Sequence, residues 1–226
     1  MTSERSPLLT RTKICGLVIA GFVIISLVIT IFLSSRPHEP KLNLKPFEQL
    51  GVVMADTTAK LINNQGEIVL WKIRTETKVA VMDVPIERFR DELSKRSDIR
   101  LIAVEEGVMN QPPVRAPGME MAGMSGEKFL GLIQKYPTAS ALVLFGATPK
   151  LTEEQIGNLP VRRPKVFVIA MYDLPHKSLF EKGVIQVAIV PRNGMRAIST
   201  NPPDDNMEWF ERYYDVIPPD TAYRLP

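Results

Sequence analysis

Apolar and polar positions along the chain follow two periods, one typical of helices and the other of strands. From Phe47 to Leu61 the apolar residues recur at spacings of three, four and seven, which predicts an amphipathic helix that ends before Gly66. Four of the later apolar segments are nearly continuous runs of Val, Ile, Leu and Ala, the pattern of strands buried on both faces. The predicted strands are residues 67–73, 99–104, 140–145, 165–171 and 184–190.

Helical patterns separate these strands. Helices are predicted over 85–95, over 126–134 with Ser125 as the N-cap, after the capping box that Thr152 opens, and over 177–182. We therefore expect residues 47–200 to form a Rossmann-like, doubly wound α/β domain around a mostly parallel, five-stranded sheet. Ligands of such sheets bind beyond the carboxyl ends of the strands.

A long apolar run precedes this domain. Residues 14–33 hold no charged side chain, and at about 1.5 Å per residue they would span about 30 Å of hydrocarbon, which predicts a transmembrane helix. Residues 1–13 are then a cytoplasmic flank and residues 34–46, with three prolines, an extended spacer. Because the domain follows the run, we expect a single-pass cell-membrane protein whose domain is extracytoplasmic, in the periplasm. A cleaved signal peptide is the alternative.

Charge separates this anchor from the domain. Residues 1–46 carry six basic and two acidic side chains, out of 28 and 25 in the 226-residue chain, so the domain is close to neutral. A neutral domain without runs of Lys and Arg lacks the footprint of a nucleic-acid-binding surface, and we predict no nucleic-acid partner. The single cysteine, Cys15, lies in the apolar run and has no partner for a disulfide bond within the chain.

Three segments carry a resemblance to a known family. They are residues 133–143 (IQKYPTASALV), 164–173 (PKVFVIAMYD) and 179–190 (LFEKGVIQVAIV). In their order and residue pattern they resemble the C-terminal lobe of class I periplasmic sugar-binding proteins and the related ligand-sensing domains of bacterial repressors. The resemblance implies a non-catalytic domain that binds or senses a small polar solute, and Asp173 matches the strand-end aspartate of the family.

The resemblance covers one lobe, whereas the family holds its ligand between two. The family's other contacts on this lobe fall near Asp83, Gly146 and Pro191, where the residue types do not match. A groove would then be completed by a second copy of the chain or by another protein. A protein-interaction or scaffold domain that has kept the fold and lost the ligand site is the alternative function.

Four residues at or after predicted strand ends are candidates for ligand binding: Asp173, Glu105, Gly146 and Arg192. Glu105, Glu106 and Asp173 could also act as paired carboxylates in acid–base chemistry. However, no serine or cysteine lies in a nucleophile-elbow pattern, no helix carries histidines at metal spacing, and no glycine-rich phosphate motif follows a strand. We therefore predict neither an enzyme nor a bound cofactor.

A methionine cluster lies in the Gly- and Pro-containing segment 109–124. Met119, Met121 and Met124 are spaced M-x-M-x-x-M, and thioethers are soft ligands that suit Cu(I). A copper site is therefore one alternative function. The other interpretation is that adaptable methionine side chains cover an apolar patch or contact a partner.

The C-terminal segment, residues 201–226, is rich in proline and aromatic residues. Trp209, Phe210 and Tyr213 would share one face of a helix. This face could pack on the domain itself, or it could dock a protein partner or a second copy as a homodimer. Residues 215–218 could add a short strand to the sheet.

Overall fold

The computed structural model describes residues 42–75, 77–107, 123–171, 173–192 and 205–225. All of the helices and strands below belong to one unit of the chain, Asn43–Pro226. The predicted transmembrane helix at 14–33 lies outside the described residues, as do Met119 and Met121 of the methionine cluster.

The first helix, α1 (Lys45–Leu61), forms where the spacing of apolar residues predicts it. Leu50 and Met54 on its apolar stripe are fully buried against the rest of the domain. Asn63 and Asn64 follow in the left-handed region, with φ of 57° and 60°, a conformation that asparagine tolerates better than most residues. This turn ends the helix and directs the chain into the first strand.

After α1, the described residues form eight strands. In chain order they are β1 (Gly66–Ile73), β2 (Ile99–Gly107), β3 (Met124–Ser125), β4 (Ala141–Phe145), β5 (Pro149–Lys150), β6 (Lys165–Ile169), β7 (Val187–Pro191) and β8 (Tyr214–Ile217). Six of them form one sheet in the order β2-β1-β4-β6-β7-β8, and β3 pairs with β5 in a separate two-stranded ladder.

The other helices connect these strands. They are α2 (Ala80–Ser94), α3 (Gly126–Lys135), α4 (Glu153–Gly157), α5 (Lys177–Glu181) and α6 (Asn206–Tyr213), and a 3-10 helix (Pro219–Arg224) closes the described chain. The predicted caps are confirmed: Ser125 accepts a bond from the backbone of Lys128, and Thr152 and Gln155 form a capping box.

The prediction of a mostly parallel sheet is confirmed. The first five strands of the sheet, from β2 to β7, all pair in parallel. Every residue of β4 is buried, which requires cover on both faces, as the continuous apolar run predicted. A sixth strand, β8, joins the five expected strands and pairs antiparallel with β7, which confirms the short added strand expected at residues 215–218.

The C-terminal aromatic residues pack into the domain. Helix α6 lies against α1, and Trp209 and Phe210 are each only 4% exposed. The interpretation that this face packs on the domain itself is therefore confirmed for Trp209 and Phe210, whose burial leaves little of either side chain for a partner or a second copy. The physical reason is that the return of the chain into β8 places α6 over the apolar surface of α1.

Candidate functional site

The order of the strands defines where a ligand site is expected. The chain moves from β1 to β2 on one side, and β4 lies on the other side of β1, so the carboxyl ends of β1 and β4 mark the point where the order reverses. In open α/β sheets ligands bind in the crevice that opens at this point.

Apolar side chains fill the crevice between β1 and β4. Ile73 ends β1, Met82 lies in the first turn of α2, and both are buried. Gly146, directly after β4, has φ of 91°, and a Cβ on it would lie 2.8 Å from Ile73 Cδ1 and 3.4 Å from Met82 Cε. A methyl group added at Gly146 would therefore displace Ile73 Cδ1, and these apolar side chains offer a ligand no polar group.

Polar groups lie one strand further along, at the carboxyl ends of β4 and β6. Thr148 is buried, and its hydroxyl donates to the carbonyl of Asp173 (2.8 Å). The Thr148 carbonyl in turn accepts from the backbone N–H of Met124 (2.9 Å), which holds the β3–β5 ladder over this edge. These bonds tie together the segments that follow β4 and β6.

A carboxylate and a lysine side chain both lie close to Gly123, at the carboxyl ends of these strands. A Cβ on Gly123 would lie 3.1 Å from Asp173 Oδ2 and 3.1 Å from Lys150 Cε. Opposite charges therefore flank a backbone position that carries no side chain of its own. We call Gly123, Thr148, Lys150 and Asp173 the polar rim.

The structure brings together two of the four predicted ligand-binding residues. Gly146 and Asp173 both lie at the carboxyl edge of the central strands, and Thr148 links them. Glu105 lies within β2, which extends three residues beyond its predicted end at Val104. Its carboxylate is held on the side of α3.

Glu105 is already bound by protein groups. Its carboxylate accepts hydrogen bonds from Lys135 Nζ (2.7 Å) and from the Tyr136 hydroxyl. These bonds, the one from Lys135 first, lower the pKa of Glu105 below its ordinary value of 4.5. The bond to Glu105 raises the pKa of Lys135 and of Tyr136. The cluster therefore stays charged at neutral pH, whereas a general base needs a pKa nearer to the working pH.

Arg192 is also engaged within the domain. Its Nε and Nη2 donate to Asp215 Oδ1 at 2.8 Å and 2.5 Å, and its backbone N–H donates to Tyr213 O (2.8 Å). The ion pair joins the end of β7 to β8. The structure thus assigns Arg192 a part in attaching the added antiparallel strand.

Sequence reasoning missed Gly123, Thr148 and Lys150 of the polar rim. The signal for two of them was present, because the polar residues Thr148 and Lys150 follow directly after a buried strand and its turn at Gly146. Gly123 carries no comparable signal, since only the pairing of β3 with β5 brings it to Asp173.

A buried tryptophan lies near the end of β1. Trp71 is 3% exposed, and among the described residues its Nε1 has no hydrogen-bond partner. Lys128 Nζ lies 5.3 Å from the centre of the ring, within cation–π range. The next residue in β1, Lys72, instead forms an ion pair with Glu106 (2.8 Å).

Of the predicted methionine cluster, only Met124 lies among the described residues. They contain no group of three His, Cys, Asp or Glu side chains that could hold a metal ion. Met124, the described member of the methionine cluster, is buried in β3, and its backbone N–H donates to Thr148 O.

In the described part of the chain, no helix has the length and apolar character needed to cross a membrane.

Several solved structures of other proteins are similar to part of this chain. No family model matches the chain, and no curated protein matches it. Similar solved structures include AraP, an arabinose binding protein from Geobacillus stearothermophilus (13% identity, TM-score 0.48, 80% of this chain and 63% of that one). A structure described as a LacI transcriptional regulator from Bacteroides fragilis is also similar (10% identity, TM-score 0.48, 80% and 62%).

A third similar structure is an ABC transporter solute binding protein from Burkholderia graminis in complex with D-arabinose. It shares 20% identity with a TM-score of 0.44 over 63% of this chain and 46% of that one. The matched part of the chain spans less than two thirds of each of these three proteins. Two of these three structures are solute- or sugar-binding proteins and the third is a transcriptional regulator. These are the two kinds of protein named in the resemblance of the sequence.

Proposed function

We propose that this chain is a membrane-anchored, extracytoplasmic binding domain that recognises a small polar solute without catalysing a reaction. The observation that carries the proposal is the polar rim, in which Asp173 and Lys150 flank Gly123 at the carboxyl edge of the parallel sheet. Residues 14–33, an apolar run of membrane-spanning length, support the anchor.

The polar rim suits a ligand with both donor and acceptor groups. A carboxylate accepts hydrogen bonds from hydroxyl or amine groups, and a lysine ammonium donates them. The absence of a side chain at Gly123 lets Thr148 O, Asp173 and Lys150 lie close to its backbone, where an added Cβ would be 2.4 Å from Thr148 O. The β1–β4 crevice is filled by Ile73 and Met82, so we place the solute above β4 and β6, next to the usual position in such sheets.

Binding without catalysis fits the acidic residues of the domain. Glu105 is kept ionised by Lys135 and Tyr136, and its lowered pKa is the opposite of the shift that a general acid at neutral pH requires. Glu106 is paired with Lys72 (2.8 Å). Neither carboxylate is therefore poised for proton transfer.

A thermal-shift screen of the full-length protein in non-ionic detergent tests the proposal. Sugars, amino acids and nucleosides are added singly, and we expect at least one to raise the melting temperature, because a ligand that binds only the folded state stabilises it. The same compound is expected to lose its effect on Asp173→Asn and to keep it on Asp220→Asn, a matched change at an exposed aspartate. A screen without any shift, or a shift that Asp173→Asn retains, would contradict the solute site.

The filled crevice favours a second candidate, a protein-interaction domain that has kept the fold without a solute site. Ile73 and Met82 lie at the position where the strand order reverses, so recognition would use the outer surface instead. Chemical crosslinking in intact membranes is expected to capture a second copy or a partner protein. Recovery of the monomer alone would count against this candidate.

A further inference from the structure

A groove lies at the amino ends of the central strands, at the opposite end of the sheet from the polar rim. It forms where the turn after α1 meets the segments that lead into β4 and β6, and it encloses about 580 Å³. The polar and charged residues that line it are Gln65, Thr138, Ser140, Arg162, Arg163 and Lys165. Its size is within the range of small-molecule sites.

The cations of this groove are held by neutral acceptors. Arg163 Nη1 donates to Pro160 O and Nη2 donates to Gly183 O, each at 2.9 Å. Lys165 Nζ donates to Leu61 O (2.7 Å) at the end of α1. Backbone carbonyls fix the position of a cation without cancelling its charge. The two bonds of Arg163 also use only two of its five N–H donors.

The charge of the groove is one-sided. Three cations and no acidic side chain line it among the described residues. The groove between α1 and α2 differs, because there Lys45 and Arg88 are balanced by Glu48, Glu87 and Asp91. Within a domain that is close to neutral, a concave surface lined by positive charge alone concentrates anions.

Arg162 and the hydroxyl groups complete the donor set. Arg162 is exposed beside Arg163, and Thr138 is exposed on the facing segment. Ser140 is fixed at the base of the groove, since its backbone N–H donates to Glu67 O (2.8 Å). Guanidinium groups bind planar carboxylates and phosphates through paired hydrogen bonds, so two adjacent arginines suit a ligand with more than one such group.

We propose that this groove binds a small soluble anion that carries two or three carboxylate or phosphate groups. The site is built on the amino ends of β4 and β6 and on the turn after α1, so it shares no residue with the polar rim. It would act as a second binding site, independent of the solute site at the carboxyl edge.

Isothermal titration calorimetry on the full-length protein in non-ionic detergent tests this site with two probes. Inorganic pyrophosphate represents phosphate groups and citrate represents carboxylate groups. We expect saturable binding of at least one probe, weakened by added salt because the contacts are electrostatic. Pyrophosphate binding alone would assign the site to phosphate groups, and citrate binding alone to carboxylate groups.

Two double variants separate the groove from general charge. Arg162→Gln with Lys165→Gln is expected to weaken binding about tenfold or more, since two charge-assisted contacts are lost. Arg90→Gln with Lys177→Gln removes the same charge from exposed positions elsewhere and is expected to change the affinity less than about twofold. Circular dichroism melting checks that both variants fold. Binding of neither probe, or equal weakening in the two variants, would overturn the proposal.

Discussion

Gly146 illustrates how a single residue shapes the carboxyl edge of the sheet. Its φ of 91° lies in the region that glycine enters without steric cost. Its backbone N–H donates to Ile169 O (2.8 Å), which continues the β4–β6 ladder one residue beyond the strand. The lack of a side chain lets Ile73 and Met82 close the crevice.

We predict that Gly146→Ala destabilises the domain by about 1–3 kcal/mol, because an alanine is strained at this φ and its Cβ would lie 2.8 Å from Ile73 Cδ1. Gly131→Ala is the matched control. Gly131 lies within α3 with no atom within 4 Å of an added Cβ, so we expect a gain of about 0.5–1 kcal/mol. Urea unfolding followed by circular dichroism measures both, and equal effects of the two changes would contradict the account.

The Glu105 cluster makes stability depend on pH. Because the pKa of Glu105 is lowered below 4.5 in the folded state, its contribution is present above 4.5 and is lost as the pH falls through the folded value. The pKa values of Lys135 and Tyr136 are raised. Their contribution is therefore present below their ordinary values and is lost as the pH rises through the folded ones.

We predict that Glu105→Gln lowers the free energy of unfolding at neutral pH by up to about 1 kcal/mol, a small effect because the cluster is partly solvated. The difference from the wild type should disappear as the pH falls below the ordinary Glu value of 4.5. Tyr136→Phe removes only the hydroxyl that donates to Glu105. The bond from Lys135 Nζ to Glu105 remains, so this variant should retain part of the pH dependence. Urea unfolding at a series of pH values measures the difference, and one that stays constant with pH would contradict the assignment.

Among the elements, α6 and β8 tie the C-terminal chain to the domain. Trp209 stacks on Tyr213 with ring centres 6.4 Å apart, and Phe210 stacks on Tyr214 at 5.6 Å. The pattern of aromatic residues predicted a shared helical face. The tertiary structure decides that this face is used internally.

We predict that Trp209→Ala lowers the free energy of unfolding by about 3–5 kcal/mol, the usual effect of emptying a buried aromatic site. Tyr223→Ala is the control, because Tyr223 is 71% exposed, and its effect should stay within about 0.5 kcal/mol. Thermal unfolding of both variants measures this. A stable Trp209→Ala protein that had lost a partner would instead restore the docking interpretation.

Most helices and strands of the domain were predictable from the local pattern. The parallel strands, the Ser125 cap and the Thr152 capping box all follow from apolar spacing or from polar residues a few positions apart. The two-residue strands β3 and β5 were not predictable, because each lacks a periodic pattern and exists only through its pairing with the other. Strand ends were also displaced, as at β2, which runs to Gly107.

At the scale of the whole molecule, the proposed anchor makes a separate prediction. The full-length protein should stay with the membrane fraction after an alkaline carbonate wash. Ile24→Arg with Leu27→Arg should release it, since each charge at the centre of a span costs about 2.5–3.5 kcal/mol. Ile24→Leu with Leu27→Ile is the apolar control and should remain bound. A shortened, soluble wild-type product would contradict the anchor and indicate a cleaved signal peptide.

The sequence by itself determined most of the helices and strands and the burial of the central strands, because apolar periodicity is a local property of the chain. It also separated a basic, apolar leader from a near-neutral domain. Only the tertiary structure decided the strand order, the filling of the crevice and the make-up of both candidate sites. The reason is that these features depend on contacts between distant parts of the chain, such as Lys165 Nζ with Leu61 O, 104 residues apart.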